Sequence, residues 1–262
     1  MKFLLAHTIL LGLYISTLTT DVDGMSPFYF MRDLSKPSIL LGLFIGYSIG
    51  SFALFMLLST LDYWLIFEDR RNASMSQIWK EIKLNVHNCL GSSLIFVPWI
   101  YINYMTKSTA IFYDPLSIPI PTQLIYVLTF VVVSEFQIYW GHRLLHEVPY
   151  LYKNFHKPHH AFIRLDPYSA GAFDPTDAFV QGLSYFILPV IIPMQIYVSM
   201  IFLIFVIFWT VSIHDQRVMV KGDIINGAGH HIIHHTDFNY NYGQVFTIFD
   251  RLFGTYRAPR NG

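Results

Sequence analysis

The sequence predicts an all-α integral membrane bundle of about four to five membrane helices or hairpins, with a histidine-rich cap on its cytosolic side. Three observations carry that expectation. Only 13% of the residues are charged while 53% are hydrophobic, and an ordinary globular surface needs roughly a quarter of residues charged to stay solvated. Apolar stretches recur that are long enough to cross a bilayer as helices, which takes about 20 residues. All of the 12 histidines except His7 and His87 fall between His142 and His235, in spaced groups beside those stretches.

Residues 1–20 carry one lysine, then an apolar run, and Asp21 and Asp23 follow. They read as a signal peptide or an extra membrane helix, and the interruptions at His7 and Thr8 favour the signal peptide. Residues 39–61 are apolar and uncharged, a first span. Residues 62–84 are polar, hold Arg70, Arg71, Lys80 and Lys83, and read as a loop. Residues 90–104 are a second, shorter apolar run containing Pro98. Residues 105–121 are proline-rich with one lysine and read as an irregular external loop. Residues 122–140 form a third span that runs directly into the first histidine pair. Residues 179–213 are too long an apolar run for one crossing. Pro189 and Pro193 interrupt it, and proline ends or kinks a helix, so a helical hairpin is expected there. No composition shift marks a linker, so the chain reads as one domain.

Basic residues favour the cytosolic side of a membrane. The 62–84 segment and the histidine segments carry the Lys/Arg excess, which places every histidine group in the cytosol. Net charge is zero, which argues against nucleic-acid binding by bulk electrostatics. Cys89 is the single cysteine, so a disulfide framework and a cysteine-rich metal site are excluded.

The histidine spacings carry the chemistry. His142 and His146 are four apart and share a helix face. Glu135, seven residues earlier, continues the stripe. A carboxylate in a membrane span is a functional candidate; Glu135 can accept a ligand histidine's N–H, ligate directly, or sit as a neutral acid bonded to a neighbouring helix. In His156-Lys-Pro-His159-His160, Pro158 restricts Lys157 to an extended shape, so His159 and His160 start a helix that His156 approaches from outside. His231, His234 and His235 share one helical face. Neighbouring histidines on a helix point about 100° apart, so each HxxHH group can serve two metals. His214 precedes Asp215 at the end of the hairpin and joins the candidate ligands. His230 is adjacent to better-placed partners, and His7 and His87 read as incidental.

Many neutral imidazoles with few carboxylates suit iron, zinc or copper, not magnesium or calcium. No glutamate follows His142, so the HExxH zinc-protease pattern is absent. One zinc needs three or four ligands; eight or more imply two metals, hence a di-metal cap. Such a site on a membrane face points to oxygen activation by a di-iron centre acting on a lipid that enters sideways from the bilayer. A membrane metal transporter is the rival of another class, although its ligands are expected in mid-span.

The HxxxH, HxxHH, HxxHH order resembles the fatty acid hydroxylase and sterol desaturase superfamily. Tyr139-Trp-Gly-His-Arg-Leu-Leu-His146, His156-Lys-Pro-His-His160, Trp209-Thr-Val-Ser-Ile-His-Asp215, Phe238-Asn-Tyr-Asn-Tyr-Gly-Gln244 and Phe249-Asp-Arg-Leu-Phe-Gly-Thr-Tyr256 narrow the likeness to the sterol C5-desaturases, or lathosterol oxidases. The resemblance covers 38–259 as one domain. It implies a multi-pass enzyme of the endoplasmic reticulum membrane that removes two hydrogens across C5 and C6 of a Δ7-sterol. It also implies iron, O2, and electrons from NADH through cytochrome b5 and its reductase. The ligand histidines it implies are His142, His146, His156, His159, His160, His231, His234 and His235, with His214 matching a further family histidine. Asp174 stands where the family usually has histidine, Gln216 where it has glycine, and Leu165-Asp-Pro167 where it has proline-threonine-proline. Asp174 can still serve as a carboxylate ligand or as an acceptor behind the ligands. Asp166, Asp177, Asp215, Asp237 and Asn241 are further candidates to support the ligands. A related lipid hydroxylase or sterol methyl oxidase is the alternative within the superfamily.

Overall fold

The computed structural model describes residues 37–106, 110–112, 114–217, 220 and 222–259; the 1–20 segment, signal peptide or helix, lies outside the described residues. The helices are α1 (Pro37–Leu65), α2 (Met75–Thr106), α3 (Ile120–Glu147), α4 (Pro149–Leu151), α5 (Lys157–His160), α6 (Pro175–Gly182), α7 (Ser184–Ile191), α8 (Ile196–His214), α9 (Ala228–Asp237) and α10 (Ile248–Leu252). Among the described residues three helices are long and apolar enough to cross a membrane: Ser38–Leu65 within α1, α3 and α8. The fold is the expected helical membrane bundle.

Only the middle of the polar 62–84 segment, residues 66–74 with Arg70 and Arg71, is a loop; its two ends are helical. α1 runs on to Leu65 and α2 begins at Met75, so Lys80 and Lys83 lie on a helix. The reason is where the polarity points. Asp62, Glu81, Asn85 and Asn88 are buried between helices, and Ser48 and Ser93 share a hydrogen bond of 2.6 Å farther along. These polar side chains mark an inward face, not a solvated turn. Gly91 lets α6 pack closely on α2: a Cβ there would lie 2.4 Å from Pro175 Cγ.

The 179–213 hairpin breaks at one proline, not two. Ile192 is extended (φ −101°, ψ 119°), as a residue before proline prefers, and so ends α7 ahead of Pro193. Pro189 is accommodated inside α7. The tip of the hairpin forms β2 (Met194–Gln195), which pairs in parallel with β1 (Ile111–Phe112) just before α3. Gln195 then caps α8, its side-chain oxygen accepting from Tyr197 N at 2.7 Å and Val198 N at 3.3 Å. Both arms of the hairpin pack on α3 around Phe130, Ile138, Tyr185, Leu188, Leu203 and Val206. Phe96 stacks on Phe186 at 3.7 Å between α2 and α7.

α3 has 28 residues, or roughly 42 Å at 1.5 Å per residue, against a hydrocarbon core about 30 Å thick. It is longer than one crossing needs, and its last turns carry His142 and His146 to one end of the bundle. The next segment corrects the expected shape around Pro158. Lys157 is helical (φ −54°, ψ −36°) rather than extended, and His156 lies in a π-helical turn, Tyr152–His156, continuous with α5. The N–H of Lys157 reaches back five residues to Tyr152 O. A proline ring inside an α-helix clashes with the carbonyl four residues earlier; the wider π turn relieves that clash, so His156 sits on the same helical stretch as His159 and His160.

Candidate metal centre

Four segments deliver imidazoles to the end of the bundle. The last turns of α3 present His142 and His146, with ring centroids 5.3 Å apart. The π turn and α5 present His156, His159 and His160. α8 ends on His214, and α9 brings His231, His234 and His235. The rings fall into two sets. In one, His142, His146, His156, His160 and His234 each place a nitrogen within 4.8 Å of the others; in the second, His159, His214, His231 and His235 do the same. Sequence neighbours divide between the sets: His159 from His160, and His234 from His235. A turn of about 100° per helical residue sends them apart. The sets abut, with the rings of His160 and His235 stacked at 4.4 Å.

Hydrogen bonds at the outer nitrogens orient the rings. Nδ1 of His142 donates to Tyr242 O at 3.0 Å, of His214 to Thr210 O at 2.7 Å, and of His234 to Tyr240 O at 2.9 Å. Nδ1 of His156 donates to Asp177 Oδ2 at 2.7 Å. Carbonyl and carboxylate oxygens only accept, so the proton is on Nδ1 and the Nε2 lone pair faces inward.

Inside, those lone pairs meet one another. Nε2 of His156 lies 2.8 Å from His146 Nε2 and 3.0 Å from His160 Nε2. His160 Nε2 is also 3.1 Å from His234 Nε2, and His231 Nε2 is 2.9 Å from His214 Nε2. A neutral ring at His160 has at most one Nε2 proton for two facing acceptors. His142 Nε2, His159 Nδ1 and both nitrogens of His235 find no hydrogen-bond partner among the described residues. Burying polar groups in this way is costly unless something answers them. A cation in each set would answer them, and all-nitrogen donors suit iron, zinc or copper. Burial, aided by neighbouring imidazoles, holds His159, His160, His231, His234 and His235 well below the ordinary histidine range. They are neutral at pH 7, the form that binds metal.

The supporting candidates divide sharply. Asp177 touches a histidine, holding His156 while its other oxygen accepts from Gln181 Nε2 at 2.7 Å. Glu135 does not: its carboxylate accepts the backbone N–H groups of Val245 and Phe246 at 3.1–3.2 Å. It points away from the His142 stripe because loop 242–246 packs beside α3 and supplies those donors. Asp174 is in neither nitrogen set; it caps α6, accepting from Thr176 N at 2.8 Å, the usual task of an aspartate just before a helix opening with proline. Asp166 accepts from Tyr168 N and Asp215 from Arg217 N. Asp237 pairs with Arg257 at the surface. Asn241, in the left-handed region at φ 58°, clamps backbone by accepting from Arg257 N and donating to His230 O. His230 belongs to neither set.

The groups that the sequence reading missed are mostly backbone: the carbonyls of Tyr240, Tyr242 and Thr210. Asp250 fixes the Tyr242 carbonyl from behind, accepting from Tyr242 N and Gly243 N at 2.8 Å each. Phe173 stacks on His159 at 4.1 Å. Between the two sets lies a small cavity lined by His142 on one side, His159, His214 and His231 on the other, and Gln181 and Gln244.

The fatty acid hydroxylase family profile matches residues 127–255, which include every histidine of both sets. A Delta(7)-sterol 5(6)-desaturase of Candida glabrata is 33% identical to the chain, covering 98% of this chain and 75% of that protein. One from Schizosaccharomyces pombe is 37% identical over 80% of this chain and 71% of its own length. One from Saccharomyces cerevisiae is 34% identical over 90% and 66%, respectively. No solved structure matches the chain significantly.

Proposed function

The chain belongs to the fatty acid hydroxylase family and is an oxidoreductase; from that premise we propose that it introduces the C5–C6 double bond into a Δ7-sterol, using two irons and O2. The observation that carries the reading is the pair of abutting nitrogen sets at the end of a membrane bundle, in a chain similar to Delta(7)-sterol 5(6)-desaturases. One iron would be held by His142, His146, His156, His160 and His234, the other by His159, His214, His231 and His235. When bound, the iron pair supplies the oxidising chemistry: the sterol loses two hydrogens, NADH and a proton supply two more, and O2 leaves as two waters.

The protein's part is to hold and shield. Asp177 and the carbonyls of Tyr242, Tyr240 and Thr210 keep each Nδ1 protonated, so that Nε2 is the free donor. Phe173 closes against His159, and all the ligand candidates but His146 are buried from water. The apolar flanks of α1, α3 and α8 suit a substrate that arrives within the bilayer. We propose further that the protein resides in the endoplasmic reticulum membrane with its histidines cytosolic, where cytochrome b5 and its reductase deliver electrons from NADH.

The test is sterol profiling in cells that lack C5-desaturase and express this chain. Restored Δ5,7-sterols support the proposal. A hydroxylated lipid would move the assignment to a sibling hydroxylase or methyl oxidase. An unchanged profile accompanied by metal uptake would favour a transporter.

A further inference from the structure

The cavity between the two nitrogen sets is about 10 Å³, room for roughly one water-sized guest. Apart from the ligand candidates His142 and His159, whose free nitrogens would meet a metal, most of its polar lining is already engaged. The Thr210 hydroxyl bonds to Val206 O at 2.7 Å, and the Gln181 amide to Asp177 at 2.7 Å. Gln244 differs. It lines the cavity, only 5% of it is exposed, and its Nε2 has no partner among the described residues. A buried amide donor left unanswered is destabilising, so a structure that keeps one in a cavity wall has a use for it there.

The backbone that carries Gln244 is held on every side. Asp250 takes the N–H groups of Tyr242 and Gly243. Glu135 takes those of Val245 and Phe246. Trp209 Nε1 donates to the carbonyl of Gln244 itself at 3.0 Å. Gly243 is required for the fit: a Cβ there would lie 2.4 Å from Phe246 O and 2.9 Å from Asp250 Oδ2. Two buried carboxylates and an indole thus brace the loop, and the same loop orients His142 through Tyr242 O. A donor fixed in place before its acceptor arrives does not have to reorganise when it does.

We propose that Gln244 is a positioning residue whose side-chain amide donates a hydrogen bond to a water, or to one end of a small oxygen-bearing or anionic guest such as dioxygen or azide, that enters the cavity between the two histidine sets. The inference rests on the two-iron reading above and adds a residue to it. Because the donor is fixed in the cavity wall, it orients the guest atom that reaches it.

The test uses azide as the probe and the iron-loaded enzyme in detergent, read by optical titration and by the infrared stretch of the bound anion. Gln244→Met keeps length and volume and removes the donor. Hydrogen bonds to charged groups are strong enough that azide binding should weaken by about tenfold or more, with iron content unchanged. The wild-type stretch should also shift when exchangeable hydrogens are replaced in D2O, and Gln244→Met should lose that shift. Wild-type azide affinity in Gln244→Met overturns the proposal. If that variant does not fold, a wild-type stretch indifferent to D2O overturns it on its own. A purified wild-type protein unable to hold iron would instead overturn the two-iron reading, and this inference with it.

Discussion

Asp177→Asn isolates how the protein commits a ring nitrogen to metal. Both carboxylate oxygens of Asp177 are in use: Oδ2 accepts from His156 Nδ1 and Oδ1 from Gln181 Nε2, each at 2.7 Å. The His156 and Asp177 side chains are fully buried. An asparagine fits the space but offers one acceptor and one donor to two donors. With its oxygen kept on His156, the charge-assisted bond becomes a neutral one, roughly half as strong, and Gln181 faces an N–H group. Turned the other way, it forces the His156 proton onto Nε2, the atom that faces His146 and His160, and removes the lone pair a metal needs. Loss of such a supporting partner costs about 10–100-fold in metal affinity or activity, or about 1.4–2.8 kcal/mol. The assay is chelator competition on purified protein, with iron per chain counted by mass spectrometry and sterol product measured in parallel. Wild-type iron retention together with wild-type turnover would refute the reasoning, since it would mean that His156 needs no anchored proton.

The other substitutions separate the roles of the remaining acidic and turn residues. Asp174→Ala should cost about 1 kcal/mol of stability through the lost cap and leave iron content intact; loss of an iron would restore Asp174 as a ligand. Glu135→Ala strips the Val245 and Phe246 N–H groups of their acceptor, at about 1–3 kcal/mol, so thermal stability should fall and some iron be lost through the loosened Tyr242 loop. Glu135→Gln, which keeps an acceptor, should recover most of that loss, and an unchanged melting temperature in the alanine variant would contradict the bracing role. Gly243→Ala drives a Cβ against Phe246 O and Asp250; overpacking of this kind costs about 1–3 kcal/mol, visible as a lowered melting temperature in detergent, and a neutral effect would show that the loop has slack.

What could be read in the sequence was whatever a side chain announces by its spacing. The i, i+4 pair at His142 and His146 and the two HxxHH groups declare shared helix faces, and the 100° offset between neighbours suffices to foresee two sets. The membrane helices follow from apolar length. The failures have physical reasons. Polarity at Asp62 and Glu81 resembles a solvated loop, because composition does not say whether a polar face turns outward or into a helix interface. Pro158 predicts an extended Lys157, and a π turn accommodates it instead, a device with no local sequence signature. Glu135 shares the stripe of His142 by heptad spacing, yet a loop more than a hundred residues later claims its oxygens. The carbonyls of Tyr240, Tyr242 and Thr210 could not be seen at all, since every residue has one and only tertiary structure aims it.

The most direct test of the central claim is iron per chain in purified wild type, His234→Ala and His235→Ala. These neighbours on one helix point into different sets, so the account predicts about two irons in wild type and about one in each variant, with a different spectroscopic signature for the iron that survives in each. One iron in wild type, lost completely with either substitution, would contradict it.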